Sequence, residues 1–301
     1  MANATSPPRP VRVSVIGHVE WVEFARVDHV PKPGEIVHAM ETWEEPAGGG
    51  GVAAVQLAKL AGACTLYTAL GDDELGRRAA SRLGELGVRV ETTFRTERQR
   101  RCFTYIDANG ERTITTIGVR LGPSAEDPLP WDELEGSDAV YFVAGDRGAL
   151  VQGRRARVVA ATSRILDDLA TFGVPLDAVI GSGTDLGERY VPDKLHPTPG
   201  VVVLTEGEHG GSYTTADGRA GSYPAAPLPG PRSDAYGCGD SFAAGLTFAL
   251  GAAYELTEAL ALAARCGAAC LTGRGPYEGQ LRVAPAPGGP VTAPASPATG
   301  S

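Results

Sequence analysis

The feature that most constrains how this chain folds is a series of short apolar runs, most of which end in glycine. VRVSVIG at 11–17 is continuous and rich in β-branched residues, as expected of a strand buried on both faces. Comparable runs occupy 63–71, 139–145, 157–162, 178–183 and 201–207. Stretches with helical spacing follow several of them, at 51–60, 72–86 and 241–271. This alternation favours an α/β fold with a doubly wound, mostly parallel sheet flanked by helices.

Two segments, within 18–43 and 95–120, interrupt the alternation. Residues 101–118 alternate in type and contain Asn109-Gly110, which is a strong signal for a hairpin turn. The earlier segment is extended in pattern and rich in turn residues. Because neither fits a helix-covered parallel sheet, we expect both to form a small β layer that stands off the main body.

The two ends of the chain differ in composition from the body. Residues 1–10 contain three prolines and residues 283–301 contain five, with few residues able to form a core. We therefore expect one folded domain over 11–282 between two disordered ends.

The composition disfavours several classes of partner. With 27 basic and 36 acidic residues, the formal net charge of −9 argues against binding to nucleic acid or to an anionic membrane surface. No apolar run approaches the roughly 20 residues of a membrane span, and the first ten residues lack the apolar region of a signal peptide. Five cysteines without a CxxC pair do not fit a disulfide framework. We expect a cytoplasmic protein with reduced cysteines.

The strongest local motif is SDAYGCGDSFAAGL at 233–246. Gly237, Cys238 and Gly239 precede Asp240 and an apolar stretch with helical spacing. Glycines there let backbone N–H groups converge on an anion at a helix N-terminus, where the helix dipole favours negative charge. A carboxylate beside that anion can accept a proton from an attacking hydroxyl. The alternative is a capped core helix after a flexible loop, and the local pattern leaves both interpretations open.

Four consecutive glycines, Gly48 to Gly51, precede another predicted helix. They leave the backbone open to close approach by a ligand, although a flexible loop is the alternative interpretation. No GK[ST] sequence follows, so the turn is not a Walker loop. The chain also lacks a GxGxxG dinucleotide motif, an HExxH zinc motif and a GxSxG nucleophile elbow.

Together the two glycine motifs resemble those of the PfkB, or ribokinase-like, family of carbohydrate kinases, and the resemblance covers about residues 11–282. Asp234 to Asp240 match the family's D-x-x-G-A-G-D signature, with Cys238 in place of alanine. The 48–51 glycines resemble the Gly-Gly pair that opens a helix in its other signature. Further stretches resemble the family in the same order along the chain, at 30–39, 69–88 and 201–211.

The resemblance implies a ribokinase-like fold with a small β-sheet lid over the acceptor. It also implies transfer of the γ-phosphoryl group from ATP-Mg²⁺ to a hydroxyl of a small sugar or sugar derivative. By residue match, Asp240 is the catalytic base, and Gly237, Cys238 and Gly239 form the anion hole.

The same matches divide the remaining site residues between acceptor and nucleotide. The predicted acceptor-binding residues are Asp240, Glu20, Gly48, Gly49, Gly50 and Gly51. The predicted ATP-binding residues are Thr205, Gly207, Gly210, Gly237 and Gly239.

The departures from the family pattern lie mostly at the acceptor. Val22 stands where ribokinases have a sugar-binding aspartate, and we predict that Glu20, on the same face of an extended strand, supplies the carboxylate instead. Gly50 and Ala53 replace the lysine and asparagine of the ribokinase turn. Because lost polar contacts of this kind are costly for a specific sugar, we do not expect ribose to be the main substrate.

The family's N-x-x-E motif, which helps to place Mg²⁺, is also missing. Ser182 to Asp185 form the nearest equivalent, so the predicted metal ligand is Asp185, with Glu188 as the rival acid. The resemblance further allows a monovalent cation as a cofactor.

Four arginines crowd one predicted strand region: Arg95, Arg98, Arg100 and Arg101. They suit a phosphate on an already phosphorylated sugar. The alternative, which we favour, is a solvated strand edge that charge protects against aggregation.

Two other functions remain open beside a sugar kinase. A nucleoside kinase is favoured by the apolar Val22 and Ala53 and by two tryptophans, Trp21 and Trp43. A non-catalytic ligand-binding relative is favoured by the altered acceptor motifs, although the intact Gly-x-Gly-Asp argues against it. The predicted partners are ATP and a sugar-like small molecule, together with a second copy of the chain bound through the lid.

Overall fold

The computed structural model describes residues 10–282, so the predicted disordered ends lie outside the described residues except for Pro10. The strands are β1 (Val13–Ile16), β2 (Glu20–Arg26), β3 (Glu41–Ala47), β4 (Cys64–Gly71), β5 (Val88–Arg95), β6 (Arg101–Ile106), β7 (Arg112–Ile117), β8 (Ala139–Phe142), β9 (Val158–Thr162), β10 (Ala178–Ser182), β11 (Val201–Thr205), β12 (Gly211–Thr215) and β13 (Ala220–Tyr223). The α-helices are α1 (Gly48–Ala61), α2 (Glu74–Glu85), α3 (Arg147–Gly153), α4 (Leu166–Phe172), α5 (Cys238–Gly251) and α6 (Leu256–Cys270). Short 3₁₀ turns connect several of these elements.

Nine strands form the main sheet in the order β13-β12-β11-β10-β9-β8-β1-β4-β5. The seven strands from β11 to β5 are parallel, and the antiparallel β12 and β13 extend one edge. The chain builds outward from β1 through β4 and β5, then crosses to β8 on the other side of β1. This reversal places a topological switch point between β1 and β8, where ligands bind in open α/β sheets. The predicted doubly wound, mostly parallel sheet is confirmed.

The residues of β1 and β8 alternate between two apolar cores, one on each face of the sheet. Val15 and Tyr141 belong to the core that also contains residues of α1, α5 and α6. Ile16 and Phe142 belong to the core that contains residues of α3 and α4. Both faces are therefore covered, as the continuous β-branched composition of these strands requires.

The helix boundaries correct the sequence prediction in two places. Helix α1 begins at Gly48, so the four glycines form its first turn and do not precede the helix as a loop. The predicted continuous stretch 241–271 is two helices, because the chain turns at Ala253, which has a φ of 59°. The predicted cap of α2 is confirmed, since the Asp73 side chain accepts a hydrogen bond from the Gly76 N–H.

A separate four-stranded sheet forms from the two segments that interrupt the alternation, in the order β3-β2-β6-β7. We call it the small sheet. Its β6–β7 hairpin turns at Asn109-Gly110, where Gly110 has a φ of +73°, so the hairpin prediction is confirmed. Of the four clustered arginines only Arg101 lies in a strand of this sheet, because Arg95 ends β5 in the main sheet. The prediction of a single arginine-rich edge strand is therefore wrong.

The tip of the β6–β7 hairpin packs on the segment that leads into α5. The N–H of Ala235 donates a hydrogen bond of 2.9 Å to the carbonyl of Gly110. A Cβ on Gly110 would lie 2.8 Å from the carbonyl oxygen of Ser233, so only glycine allows this approach. Arg26 of β2 donates a further hydrogen bond, to the Ser233 carbonyl, at 3.2 Å. The small sheet therefore packs against the 233–240 segment, which contains the strongest sequence motif.

In the part of the chain that the structure describes, no helix has the length and apolar character to cross a membrane.

Candidate active site

The first turn of α1 packs against the carboxyl ends of β1 and β8. A Cβ on Gly17, just after β1, would lie 3.0 Å from the Cβ of Val143 and 3.1 Å from the Cα of Gly50. A Cβ on Gly50 would lie 2.5 Å from the carbonyl oxygen of His18. Glycines at these positions let the helix N-terminus approach the switch point of the sheet more closely than any side chain would allow.

The glycines of that turn meet both the predicted base and the predicted acceptor side. A Cβ on Gly49 would lie 3.0 Å from Oδ1 of Asp240, and a Cβ on Gly48 would lie 3.1 Å from Cγ of Glu20. Gly48 also has a φ of +76°, which favours glycine. A Cβ on Gly51 would make only ordinary van der Waals contacts, the nearest with the Tyr277 hydroxyl at 3.5 Å. Three of the four glycines are thus required by close packing against protein atoms, and contact of this turn with an acceptor stays a prediction.

Asp240 lies in the first turn of α5, which starts after Gly237 in the left-handed region at a φ of +81°. Its side chain is half-buried. Burial, followed by the nearby charge of Glu188, raises the pKa of Asp240 to about 7, although Arg112 and Arg164 oppose the shift. A helix N-terminus alone would lower this pKa, so desolvation is the stronger effect here. The result is a carboxyl group that changes protonation near neutral pH.

The loop before Asp240 has one packed face and one open face. A Cβ on Gly237 would lie 2.9 Å from Cγ1 of Val52, whereas a Cβ on Gly239 would meet no atom within 4 Å. Asp234 holds the loop, since its carboxylate accepts hydrogen bonds from the N–H groups of Tyr236 at 2.8 Å and Gly275 at 2.9 Å. The open, glycine-lined N-terminus of α5 therefore has the form of an anion site.

Cys238 occupies the alanine position of the family motif and behaves as a neutral thiol. A hydrogen bond with Cys270, followed by burial, raises the pKa of the Cys238 thiol well above its ordinary value. A protonated thiol is a weak nucleophile. Cys238 therefore contributes its backbone, and not thiolate chemistry, to the predicted anion hole.

On the acceptor side, Glu20 is already paired. Its Oε1 lies 2.7 Å from Nε of Arg100, and its Oε2 accepts a hydrogen bond of 3.0 Å from the Cys102 thiol. His18 lies beside it, with Nε2 at 3.7 Å from Glu20 Oε1. Burial, with the charges of Arg120, Arg100 and Arg164, lowers the pKa of His18 to about 3, so the imidazole is neutral. Sequence reasoning identified Glu20 but missed the Arg100 pairing and the position of Arg120, neither of which belongs to a local motif.

The apolar residues and tryptophans that favoured a nucleoside acceptor pack against other residues of the protein. Val22 and Ala53 are fully buried and belong to the main core. Trp43 stacks on Phe24, with ring centroids 4.9 Å apart and planes 4° from parallel. Trp21 is buried, and its Nε1 donates to the Glu44 carboxylate at 3.2 Å. These side chains fill the junction between the small sheet and the body.

The predicted nucleotide side lies at the carboxyl end of β11. Thr205 donates a hydrogen bond from Oγ1 to the Gly181 carbonyl at 3.3 Å. Gly207 has a φ of +60° and faces open space, whereas a Cβ on Gly210 would lie 2.0 Å from the Tyr223 carbonyl oxygen. Gly210 is thus required by packing against β13, and Gly207 is the residue open to a ligand.

The two predicted metal ligands converge on one arginine. Arg164 donates hydrogen bonds to Asp185 at 2.5 Å and to Glu188 at 2.9 Å. No group of three or more His, Cys, Asp or Glu side chains suited to a metal ion occurs within residues 10–282. These carboxylates do not form a cage for a tightly held ion, but they fit Mg²⁺ held mainly by phosphate oxygens and water.

The doubly wound sheet and the small sheet beside its switch point together define a ribokinase-like fold. The chain belongs to the pfkB family of carbohydrate kinases, whose family model matches residues 11–182 and 182–282.

Known proteins of this type resemble the chain over different extents. A ribokinase from Dictyostelium discoideum is 31% identical over 108 residues, which are 35% of this chain and 34% of that protein, so the match spans about a third of the relative's length. The crystal structure of a ribokinase from Thermotoga maritima matches with a TM-score of 0.71 and 19% identity, covering 90% of this chain and 96% of the other. The ribokinase of Arabidopsis thaliana, solved with ribose and ATP, matches with a TM-score of 0.67 and 17% identity, covering the same shares of the two chains. At such identities the structural matches establish the fold.

Proposed function

We propose that the protein is an ATP-dependent kinase that transfers the γ-phosphoryl group to a hydroxyl of a small sugar or sugar derivative. The observation that carries the proposal is the position of Asp240, at the open N-terminus of α5 and against the first turn of α1. Membership of the pfkB family supports this chemistry, and the ribokinase of Arabidopsis thaliana was solved with ribose and ATP.

In this proposal Asp240 is the general base that takes the proton of the acceptor hydroxyl. A base is most effective when its pKa lies near the working pH, because it is then both deprotonated and basic enough to accept a proton. The burial that raises the pKa of Asp240 to about 7 meets this requirement. The backbone N–H groups of Gly237, Cys238 and Gly239 would hold negative charge at the helix N-terminus.

Bound ATP would supply the phosphoryl group, and Mg²⁺ would neutralise its phosphate charge. The described residues fit such a ligand through the open faces of Gly207 and Gly239. Arg164 holds Asp185 and Glu188 at the end of β10, next to β11 in the sheet. We propose that these carboxylates would accept hydrogen bonds from the water molecules bound to Mg²⁺.

The outer strand of the small sheet supports the proposed homodimer. All six residues of β7 are exposed, and Ile114 and Ile117 are 41% and 45% exposed. An uncovered edge strand with apolar side chains is a template for pairing with another chain. We propose the small sheet as the contact between two copies.

The direct test replaces Asp240 by asparagine, which keeps the shape of the side chain and removes the base. ADP release with ATP, Mg²⁺ and a panel of sugars, phosphosugars, sugar acids and nucleosides should fall by about 10²- to 10⁴-fold, the usual contribution of a general base. Asp132→Asn, at a side chain 91% exposed, is the control and should retain full activity.

Each alternative gives a different result in the same assay. Undiminished turnover by Asp240→Asn would rule out the mechanism. A wild-type protein that binds one of these compounds but phosphorylates none would be a ligand-binding relative and not a kinase.

A further inference from the structure

Arg120 lies close enough to Arg100 and Arg164 for their charges to act on it, and those two arginines are paired with carboxylates. Arg100 pairs with Glu20, and Arg164 pairs with Asp185 and Glu188. Arg120 has neither an ion pair nor a hydrogen bond with any residue in the range 10–282. Its side chain is accessible to solvent, so a ligand can reach it.

The surroundings of Arg120 oppose its own charge. Burial, followed by the like charge of Arg100, lowers the pKa of Arg120, and Arg164 acts in the same direction. Glu20 and Asp168 act in the opposite direction, but neither carboxylate lies within 4.0 Å of the guanidinium. An exposed cation beside two like charges is an arrangement that a bound anion would relieve.

The backbone fixes Arg120 at this position. Leu121 is 6% exposed, and a Cβ on Gly122 would lie 3.2 Å from the amide nitrogen of Gly145, just beyond β8. The chain therefore returns from the small sheet to the main sheet directly at Arg120. The guanidinium is carried by an anchored segment beside the switch point of the main sheet.

A second polar group at the same place also lacks a partner. His18 is 6% exposed, and its Nδ1 is buried without a hydrogen bond in the described structure. A Cβ on Gly48 would lie 3.3 Å from Cδ2 of His18, so the imidazole borders the glycine turn that meets Asp240. Because a buried polar atom without a partner costs free energy, Nδ1 is expected to bond a ligand hydroxyl.

We propose that the acceptor is an anionic polyol, whose carboxylate or phosphate is bound by Arg120 with Arg100 while His18 Nδ1 bonds one of its hydroxyls. This inference rests on the proposed kinase function and names the substrate class of that site. Of the four arginines weighed in the sequence, only Arg100 takes part: Arg95 pairs with Asp127, and Arg101 lies 3.7 Å from Glu23. In a chain with a net charge of −9, a local cationic group of this kind favours a specific anionic ligand.

The test compares neutral sugars with their sugar-acid and sugar-phosphate derivatives. Ribose, ribonate and ribose 5-phosphate form one series, and glucose, gluconate and glucose 6-phosphate form another. We expect kcat/KM of the wild-type protein to favour an anionic member of one series by at least about tenfold over the neutral sugar, the usual discrimination by a charged hydrogen bond. Preference for the acid identifies a carboxylate site, and preference for the phosphate identifies a phosphate site.

Two arginine variants separate this site from general electrostatics. Arg120→Gln should raise KM for the anionic acceptor by about 10- to 100-fold with little change in kcat, and should leave the neutral sugar unaffected. Arg98→Gln removes the same charge from an exposed arginine outside the cluster and should change neither value. Equal effects of the two variants, or a neutral sugar as the best acceptor in both series, would overturn the inference.

Binding measured without turnover distinguishes this inference from the kinase proposal. Asp240→Asn protein should still bind the preferred anionic compound by calorimetry, and the double variant with Arg120→Gln should bind it at least about tenfold more weakly. Binding of the anion through Arg120 without any turnover by the wild-type protein would support the anion site and refute the kinase. Efficient phosphorylation of neutral sugars alone would support the kinase and refute the anion site.

Discussion

The two sides of the candidate site are formed by different kinds of protein group. The transfer side, Gly237 to Asp240 with the first turn of α1, consists of backbone and one carboxylate. The acceptor side consists of side chains from separate segments, with Glu20 on β2, Arg100 before β6 and Arg120 after β7. Gly237 to Asp240 follow the family pattern closely, whereas the departures from it lie at Val22 on β2 and at Gly50 and Ala53 of α1. This difference supports our proposal that the phosphoryl-transfer geometry is the family's and that side chains particular to this chain select the acceptor.

After the loss of Asp240 itself, we expect the largest effect from a substitution at Gly49, on the side of the site that backbone forms. An alanine Cβ there would lie 2.8 Å from Cγ1 of Val143 and 3.0 Å from Oδ1 of Asp240, so the carboxyl must move. Gly49→Ala should lower kcat by about 10- to 100-fold, because Val143 and the Asp240 carboxyl must both shift and small displacements of a catalytic group are costly.

Gly51→Ala is the matched control in the same helical turn. Its Cβ would make only ordinary contacts, the nearest at 3.5 Å, so kcat should stay within about twofold of the wild-type value. Steady-state ADP release measures both variants. Equal losses in the two would show that the turn is sensitive as a whole, and would remove the special role of Gly49 beside Asp240.

A smaller effect is expected on the side built from side chains. Glu20→Gln leaves the largely buried Arg100, whose side chain is 13% exposed, without a counter-charge at 2.7 Å. The free energy of unfolding should fall by about 1 to 3 kcal/mol, because one partner of a buried pair is left uncompensated.

Glu23→Gln on the same strand provides the comparison. Glu23 is 42% exposed and lies 3.7 Å from Arg101, so its loss should change stability by less than about 0.5 kcal/mol. Urea unfolding of both variants measures the difference. A Glu20 variant as stable as the Glu23 variant would show that the Glu20–Arg100 pair does not organise the acceptor side.

The same contrast explains what the sequence could predict. The parallel strands, the β6–β7 hairpin and Asp240 follow from local pattern and from motif resemblance, because periodicity and turn chemistry act over a few residues. The start of α1 at Gly48 was missed, since glycines discourage a helix unless tertiary packing, here against His18 and Val143, requires close approach.

The acceptor side was harder to predict because its contacts join distant segments. Glu20 and Arg100 are brought together by the parallel pairing of β2 with β6, and no local pattern encodes that pairing. Arg120 belongs to no motif, and its importance lies in the partners that it lacks. The four-arginine cluster was misleading because Arg95 ends a strand of the main sheet and Arg101 begins a strand of the small sheet, while the other two lie in the connection between them.

The central claim is that Asp240 is the general base of the reaction, and the pH dependence of kcat/KM tests it most directly. Burial raises the pKa of Asp240 to about 7, and only the deprotonated carboxylate can accept a proton. With saturating ATP-Mg²⁺ and an acceptor that does not titrate between pH 5 and 8.5, kcat/KM should fall about tenfold per pH unit below about pH 7 and level off above it. The residual activity of the Asp240→Asn variant should not show this acidic limb, the fall in kcat/KM below about pH 7. A wild-type profile that is flat down to pH 5, or a limb that persists in the asparagine variant, would contradict the assignment.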